Sequence, residues 1–246
     1  MSKNFQLLRR VEKVDIFTVP GESAQPQFET SAAILFKKAT HDAEIAKLVQ
    51  RLFSQASKGS IGPKVVSFSG IANEDRSSWI CRRVGETLVE HADTTVCIVE
   101  TNLRSPRLHI HASVNHRHGL AEALASTAPI RSFAMPQSRE NLWVIPAGLG
   151  RPGVYSSIER YRERFAELRE AFDYILISAP ALSRETEATL IGQVADGVVL
   201  VVEANHTRRE TVRRAKEQLE SANVRLLGAV LDQRTFPIPE RIYKRL

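Results

Sequence analysis

The sequence predicts an α/β chain with a mostly parallel, doubly wound sheet and helices on both faces. Three observations carry that expectation. Apolar runs recur at Val65–Phe68, Val96–Val99, Leu142–Ile145, Tyr174–Ile177, Val198–Val202 and Leu226–Leu231. They are too continuous for strands with one wet face, as expected of a parallel sheet covered on both sides. Between them, apolar residues recur at three-to-four spacing at about Ser77–His91, Leu120–Ser126, Tyr155–Ala171, Glu185–Val194 and Arg208–Ala222, which predicts the covering helices. Polar segments follow the runs, at the strand ends where such a sheet binds its ligands.

Length and charge bound the function without choosing it. The 246 residues suit one large domain, or a domain with a tail, and an apolar content of 43% suffices for a full core. A net charge of +6 permits nucleic acid, an anionic membrane surface or an acidic protein as partner. Cys81 and Cys97 make no metal or disulfide pattern and fall in a helix and a strand, where buried structural roles are the default. No apolar run approaches the ~20 residues of a membrane span, and the N-terminus lacks the apolar core of a signal peptide. The expectation is a cytoplasmic protein, peripheral at the inner membrane only through a partner.

In chain order, residues 1–40 read as a flexible arm, because Val19-Pro-Gly-Glu-Ser-Ala-Gln-Pro-Gln27 has turn and linker chemistry. Residues 41–246 read as one domain. Within it, Asp42–Ser57 is expected to be a helix, with Ile45, Leu48, Val49, Leu52 and Phe53 as an apolar stripe, before Lys58-Gly-Ser-Ile-Gly-Pro63 breaks the chain. A short helix is expected after Pro239. The stretch Lys64-Val-Val-Ser-Phe-Ser-Gly-Ile-Ala-Asn-Glu-Asp-Arg-Ser-Ser78 reads as strand, tight turn and helix start, the placement of a phosphate-binding P-loop. Gly70 is in place. Four residues separate it from Asp75-Arg76-Ser77, where a working loop reads Gly-Lys-Ser or Gly-Lys-Thr.

Several stretches together carry a resemblance. Val96-Cys-Ile-Val-Glu-Thr-Asn-Leu-Arg-Ser-Pro-Arg-Leu-His109 is similar to a second Walker motif, Asp-x-Asp-Leu-Arg-x-Pro. Asn141-Leu-Trp-Val-Ile-Pro-Ala-Gly148 matches a strand of the same family, and Phe172-Asp-Tyr-Ile-Leu-Ile-Ser-Ala-Pro180 matches its Walker B segment, Phe-Asp-Tyr-x-x-x-Asp-x-Pro. Ala195-Asp-Gly-Val-Val-Leu-Val-Val202 and Leu227-Gly-Ala-Val-Leu231 complete the order. The chain resembles the kinase domain of the bacterial tyrosine autokinases (BY-kinases) of capsule and exopolysaccharide synthesis, relatives of the MinD/ParA P-loop ATPases. The likeness runs from about Lys64 to Leu231. It implies a P-loop NTPase-like fold and an ancestral ATP and Mg²⁺ site formed by Gly70, Asn73, Asp75, Arg76, Ser77, Ser78, Glu100, Asn102, Arg104, Ser178 and Asp232.

The departures from the family fall on those positions. The phosphate-binding lysine is Arg76, a planar fork in place of a compact ammonium. The glycine before it is Asp75, whose carboxylate would stand beside phosphate. At ~4 Å and an effective dielectric of 20, a like-charge pair costs roughly 4 kcal/mol, half of what a micromolar ligand has in all, about 8 kcal/mol. Glu100 and neutral Asn102 replace the two acids of the second Walker motif, Ser178 replaces the Walker B acid, and Asp232 replaces the base-binding asparagine. Ser77 remains as a metal ligand and Arg104 as an anion contact or a salt-bridge partner. Asn73 and Asp75 tolerate positive φ, so the turn is expected to keep its shape while losing affinity. Mg²⁺ usually leans on one or two carboxylates, and only Glu100 is left.

Three functions follow as expectations. The first is a degenerate, non-catalytic regulator or scaffold of exopolysaccharide or capsule synthesis, needing no cofactor and acting with a membrane polysaccharide co-polymerase. The second is an active tyrosine kinase or ATPase using ATP and Mg²⁺, with Arg76 standing for lysine. The third is a ParA-like DNA-binding protein using Arg208, Arg209, Arg213 and Arg214, for which a solvated face is the better reading. The autokinase signature is thin: of four tyrosines only Tyr243 lies in the tail, and Glu44-Ile-Ala-Lys47-Leu-Val-Gln50 loosely matches the family's oligomer-contact helix. A homo-oligomer remains an option. His109, His111, His116 and His118 read as loop histidines rather than a zinc shell. The tail Ile238–Leu246 is too short and too poor in large apolar residues for firm membrane anchoring.

Overall fold

In the computed structural model the described residues are 15–18, 31–53, 62–91, 93–108, 118–149, 157–183 and 186–233. They form β1 (Asp15–Thr18), α1 (Ser31–Phe53), β2 (Val65–Gly70), α2 (Asp75–His91), β3 (Val96–Glu100) and α3 (Leu120–Ala125). A 3-10 turn (Ile130–Phe133) follows, then β4 (Met135–Pro136), β5 (Leu142–Ile145), α4 (Ile158–Ala171), β6 (Tyr174–Ala179), α5 (Thr186–Val194), β7 (Gly197–Glu203), α6 (Arg209–Ser221) and β8 (Leu226–Asp232). The strands make one sheet in the order β1-β8-β7-β2-β6-β3-β5-β4, parallel throughout except for the β4–β5 pair. The predicted doubly wound α/β class is what the chain adopts.

The continuous apolar runs are continuous because each strand feeds two cores. Val66, Phe68, Ile98 and Leu176 face α1 and α2 with Ile45, Leu48, Ile80 and Val84. Their neighbours Val65, Cys97, Val99, Ile175 and Ile177 face α3, α4 and α5 with Leu124, Phe165, Leu168 and Ile191. Toward β7 and β8, Val198, Leu200 and Val202 pack on α6 through Ala215 and Leu219. Each fully buried aliphatic side chain is worth about 1.5–3 kcal/mol of transfer free energy. Cys81 and Cys97 are fully buried, and burial pushes both thiols up, so packing is their role.

The structure differs from the expectation over residues 1–40. Asp15–Thr18 is a strand paired in parallel with Gly228–Leu231, a pairing that suits its β-branched and aromatic residues Ile16, Phe17 and Thr18. The first helix starts at Ser31 rather than Asp42, because Ser31-Ala-Ala-Ile-Leu-Phe-Lys-Lys-Ala39 is rich in strong helix formers and carries the helix through Asp42. It is described as far as Phe53, so its expected end at Ser57 lies outside the described residues, as do the tail helix, Tyr243, His109, His111 and His116.

Candidate functional site

The winding brings the ends of β2, β3, β6, β7 and β8 to one rim. β2 sits between β6 and β7, and the register sets Glu100 beside Ser178 and Glu203 beside Asp232. All the residues expected at the old nucleotide site lie on this rim or on the first turn of α2, apart from Arg104 just beyond β3.

The turn keeps its P-loop frame by two local devices. A Cβ at Gly70 would lie 1.9 Å from the Asn73 carbonyl oxygen, so only glycine allows the chain to fold back this tightly. Asn73 Oδ1 accepts a hydrogen bond from the Asp75 amide at 3.0 Å and so caps the start of α2. Neither Asn73 nor Asp75 adopts positive φ. The expectation that their left-handed tolerance shapes the turn is corrected: the glycine and the side-chain cap do it.

The substituted residues have found partners in one another. Arg76 reaches from α2 to the end of β8, donating Nε to Asp232 Oδ2 at 2.5 Å and Nη2 to Asp232 Oδ1 at 2.9 Å. Its guanidinium also lies 4.7 Å from the centre of the Trp79 ring. Asp232 is fully buried and the Arg76 side chain is 15% exposed. On the other side of the helix start, Arg107 Nε stands 3.0 Å from Asp75 Oδ1. The carboxylate expected to repel phosphate is thus faced by a cation, and bare repulsion overstates its effect.

Glu100 and Ser178, at the positions where the resembled family carries acids, are also hydrogen-bonded within the protein. Glu100 Oε1 accepts from the Asn102 amide at 3.1 Å and from Ser178 Oγ at 3.2 Å, and its Oε2 accepts from the amides of Arg107 at 2.9 Å and Leu108 at 2.7 Å. Ser178 Oγ lies 2.8 Å from Ser78 Oγ. Burial pushes the Glu100 carboxyl up to about 7, against the lowering effect of those four hydrogen bonds. Ser77 Oγ donates back to the Glu74 carbonyl at 2.9 Å. Asn102 Oδ1 accepts from the Ser105 amide, and its Nδ2 is buried with no acceptor among the described residues.

Other predicted residues fall elsewhere. Arg104 is exposed and pairs with Glu187 of α5 at 3.6 Å, which makes the salt-bridge reading concrete. Arg213 and Arg214 pair with Glu210, and Arg213 also with Glu217, so the basic face of α6 is partly self-neutralised. Lys47 pairs with Glu44 along α1. His118 is exposed, and among the described residues no group of histidines, cysteines and carboxylates could hold a metal ion. Sequence reasoning missed Arg107, whose side chain faces Asp75 while its amide holds Glu100. Its place beside Pro106 in the Walker-like segment was the available signal.

The chain matches no protein-family profile. Over 139 residues it is 27% identical to the tyrosine-protein kinase YwqD of Bacillus subtilis, covering 56% of this chain and 59% of that protein. It is 28% identical over 159 residues to the tyrosine-protein kinase CpsD of Streptococcus pneumoniae serotype 4, covering 63% of this chain and 66% of that one. The chain is a relative of the bacterial tyrosine kinases. It spans about half to three-fifths of the length of several curated relatives it matches. Among solved structures it superposes on the kinase domain of Escherichia coli tyrosine kinase ETK with a TM-score of 0.75 at 16% identity, covering 92% of this chain and 93% of that one. The chimerical protein CapA2B2 gives 0.76 at 17% identity, with 91% and 96% covered. MinD of Aquifex aeolicus gives 0.56 at 20% identity, with 74% and 72% covered. These likenesses place the BY-kinase relative on the MinD-like P-loop fold. No helix among its described residues is long and apolar enough to cross a membrane.

Proposed function

We propose that this BY-kinase relative is catalytically degenerate and acts as a regulator or scaffold of exopolysaccharide or capsule synthesis, recruited to the inner membrane by a polysaccharide co-polymerase. The choice of pathway and partner rests on the family resemblance. The loss of catalysis rests on one observation: Glu100, the last carboxylate of the metal set, is consumed by four donors of the protein itself. Turning it toward Mg²⁺ would orphan the amides of Asn102, Arg107 and Leu108, at about 1–3 kcal/mol for each buried donor left unpaired. With its carboxyl raised to about 7 by burial, Glu100 also carries only part of a negative charge at neutral pH. Ser178 brings a hydroxyl where the family has an acid, and a hydroxyl neutralises no metal charge.

Phosphoryl transfer relies on positioned metal and cations to spread the developing charge. Here the cation is paired and the acid is satisfied, so the rim supports the fold without a ligand. Calorimetric titration with ATP and with ADP, at millimolar nucleotide and Mg²⁺, tests the reading. No saturable heat is expected, and a saturable signal would overturn it.

A further inference from the structure

We infer that Asp232 is a lock on the loop arginine: it holds Arg76 toward β8, so that the site excludes phosphate by an internal ion pair and not only by missing groups. The inference rests on the degenerate reading and gives it a cause. In sequence, Arg76 and Asp232 are two separate departures. In the structure they are one unit, a planar fork seated on both oxygens of a fully buried carboxylate. A bidentate charge-assisted pair of this kind is strong and directional. The ring of Trp79, one turn along α2, lies against the same guanidinium.

The geometry explains why a free anion does not displace the lock. Asp232 is anchored in β8: its main-chain carbonyl accepts from the Ala204 amide at 2.8 Å, and Glu203 of β7 is its register partner. A tethered carboxylate competes at an effective concentration of at least roughly millimolar, with none of the translational cost a free phosphate group meets. Asp75 is faced by Arg107, so it leaves Arg76 to Asp232. A carboxylate at the position where the family binds the base therefore disarms the cation at the position where the family binds phosphate.

Removing the negative charge of Asp232 without removing its bulk should release Arg76. A mostly buried guanidinium without its counter-ion is unfavourable, and an added polyanion would then supply the missing charge. The test is thermal unfolding and calorimetry of Asp232→Asn with inorganic pyrophosphate, against sodium chloride at matched ionic strength. Wild type is expected to show no response beyond that of the salt. Asp232→Asn is expected to unfold at a lower temperature, to be restored by pyrophosphate in a saturable way, and to bind it at least tenfold more tightly than wild type. Adding Arg76→Ala should abolish that gain.

A folded Asp232→Asn that binds pyrophosphate no better than wild type overturns the lock. Should Asp232→Asn fail to fold, Arg76→Lys decides: with Asp232 in place it is expected to stay blank, and pyrophosphate binding by that variant overturns the proposal. Nucleotide binding by the wild type would sink the degenerate reading by itself, while the lock would still stand or fall on the difference between wild type and Asp232→Asn.

Discussion

Asp196 at the amino end of the sheet and Glu100 at the carboxyl end both collect backbone amides and reach opposite electrostatic outcomes. At the amino end, Asp196 before β7 accepts the amides of Lys64 and Val65 at 2.7 and 2.8 Å and a forked contact from Arg169. Burial alone would raise its carboxyl, but the Arg169 bond and the two amides outweigh it and leave it lowered. At the carboxyl end, Glu100 also collects backbone amides, yet among the described residues no lysine or arginine side chain is hydrogen-bonded to it, and burial wins, pushing it up to about 7. What separates Asp196 from Glu100 is a facing cation. At the amino end a carboxylate and its arginine join strand to helix; at the carboxyl end the nearby arginines are committed elsewhere, Arg76 to Asp232 and Arg107 to Asp75.

The contrast is broken most forcefully at the amino end. Asp196→Ala strips two strand amides and Arg169 of their acceptor, and about 3 kcal/mol of stability should be lost, since buried donors left unpaired are costly. Urea denaturation measures it. The pH dependence should then separate the two carboxylates by sign. Asp196 has a lowered folded pKa, so its contribution is present above the ordinary carboxylate range and fades as pH falls through the folded value. Glu100 has a raised folded pKa. Its contribution is fully present below the unfolded value of ~4.3 and is lost as pH rises through about 7. Between pH 5 and 8 the protein should therefore lose roughly 2–3 kcal/mol through Glu100. Glu100→Gln should flatten that slope and leave the acid limb intact. A slope that survives the substitution would end the assignment.

How much of this was legible in the chain differs between the same regions. The strands were, because residues such as Val65 and Val66 face opposite cores and must both be apolar. Gly70 was, because its spacing from Ser77 marks the turn. The two-residue β4, with Pro136 in it, carries no periodicity to read. The rim chemistry was legible residue by residue but not as pairs. Arg76 and Asp232 are 156 positions apart, and one sequence cannot show that one departure answers the other. The partners of Glu100 were silent for another reason: three of its four donors are backbone amides, which any residue there would supply.

The turn itself offers a sharper test of what the rim now does. Gly70→Ala would push a methyl against the Asn73 carbonyl oxygen, and backbone cannot yield as a flexible side chain would. A loss of about 2 kcal/mol is expected, in the range of overpacked core sites. If the frame were kept only for a ligand, relaxing the loop in the absence of ligand would cost little. A melting temperature within a degree of wild type would favour that view over a structural role in joining β2 to α2.

The smallest expected effect lies just outside the rim. Arg104 survives from the family motif, yet its side chain is 53% exposed and its contact with Glu187 is 3.6 Å long. Exposed pairs of that kind contribute about 0–1 kcal/mol, so Arg104→Ala should change stability by no more than about 0.5 kcal/mol. Placed beside Asp196→Ala, the comparison asks whether an arginine–carboxylate contact matters through its charge or through the amides its carboxylate holds. Asp196 holds two strand amides, whereas Glu187 accepts no main-chain amide among the described residues. A loss at Arg104 as large as that at Asp196 would show that charge pairing alone stabilises this surface, and would return Arg104 to the group of residues that organise the rim.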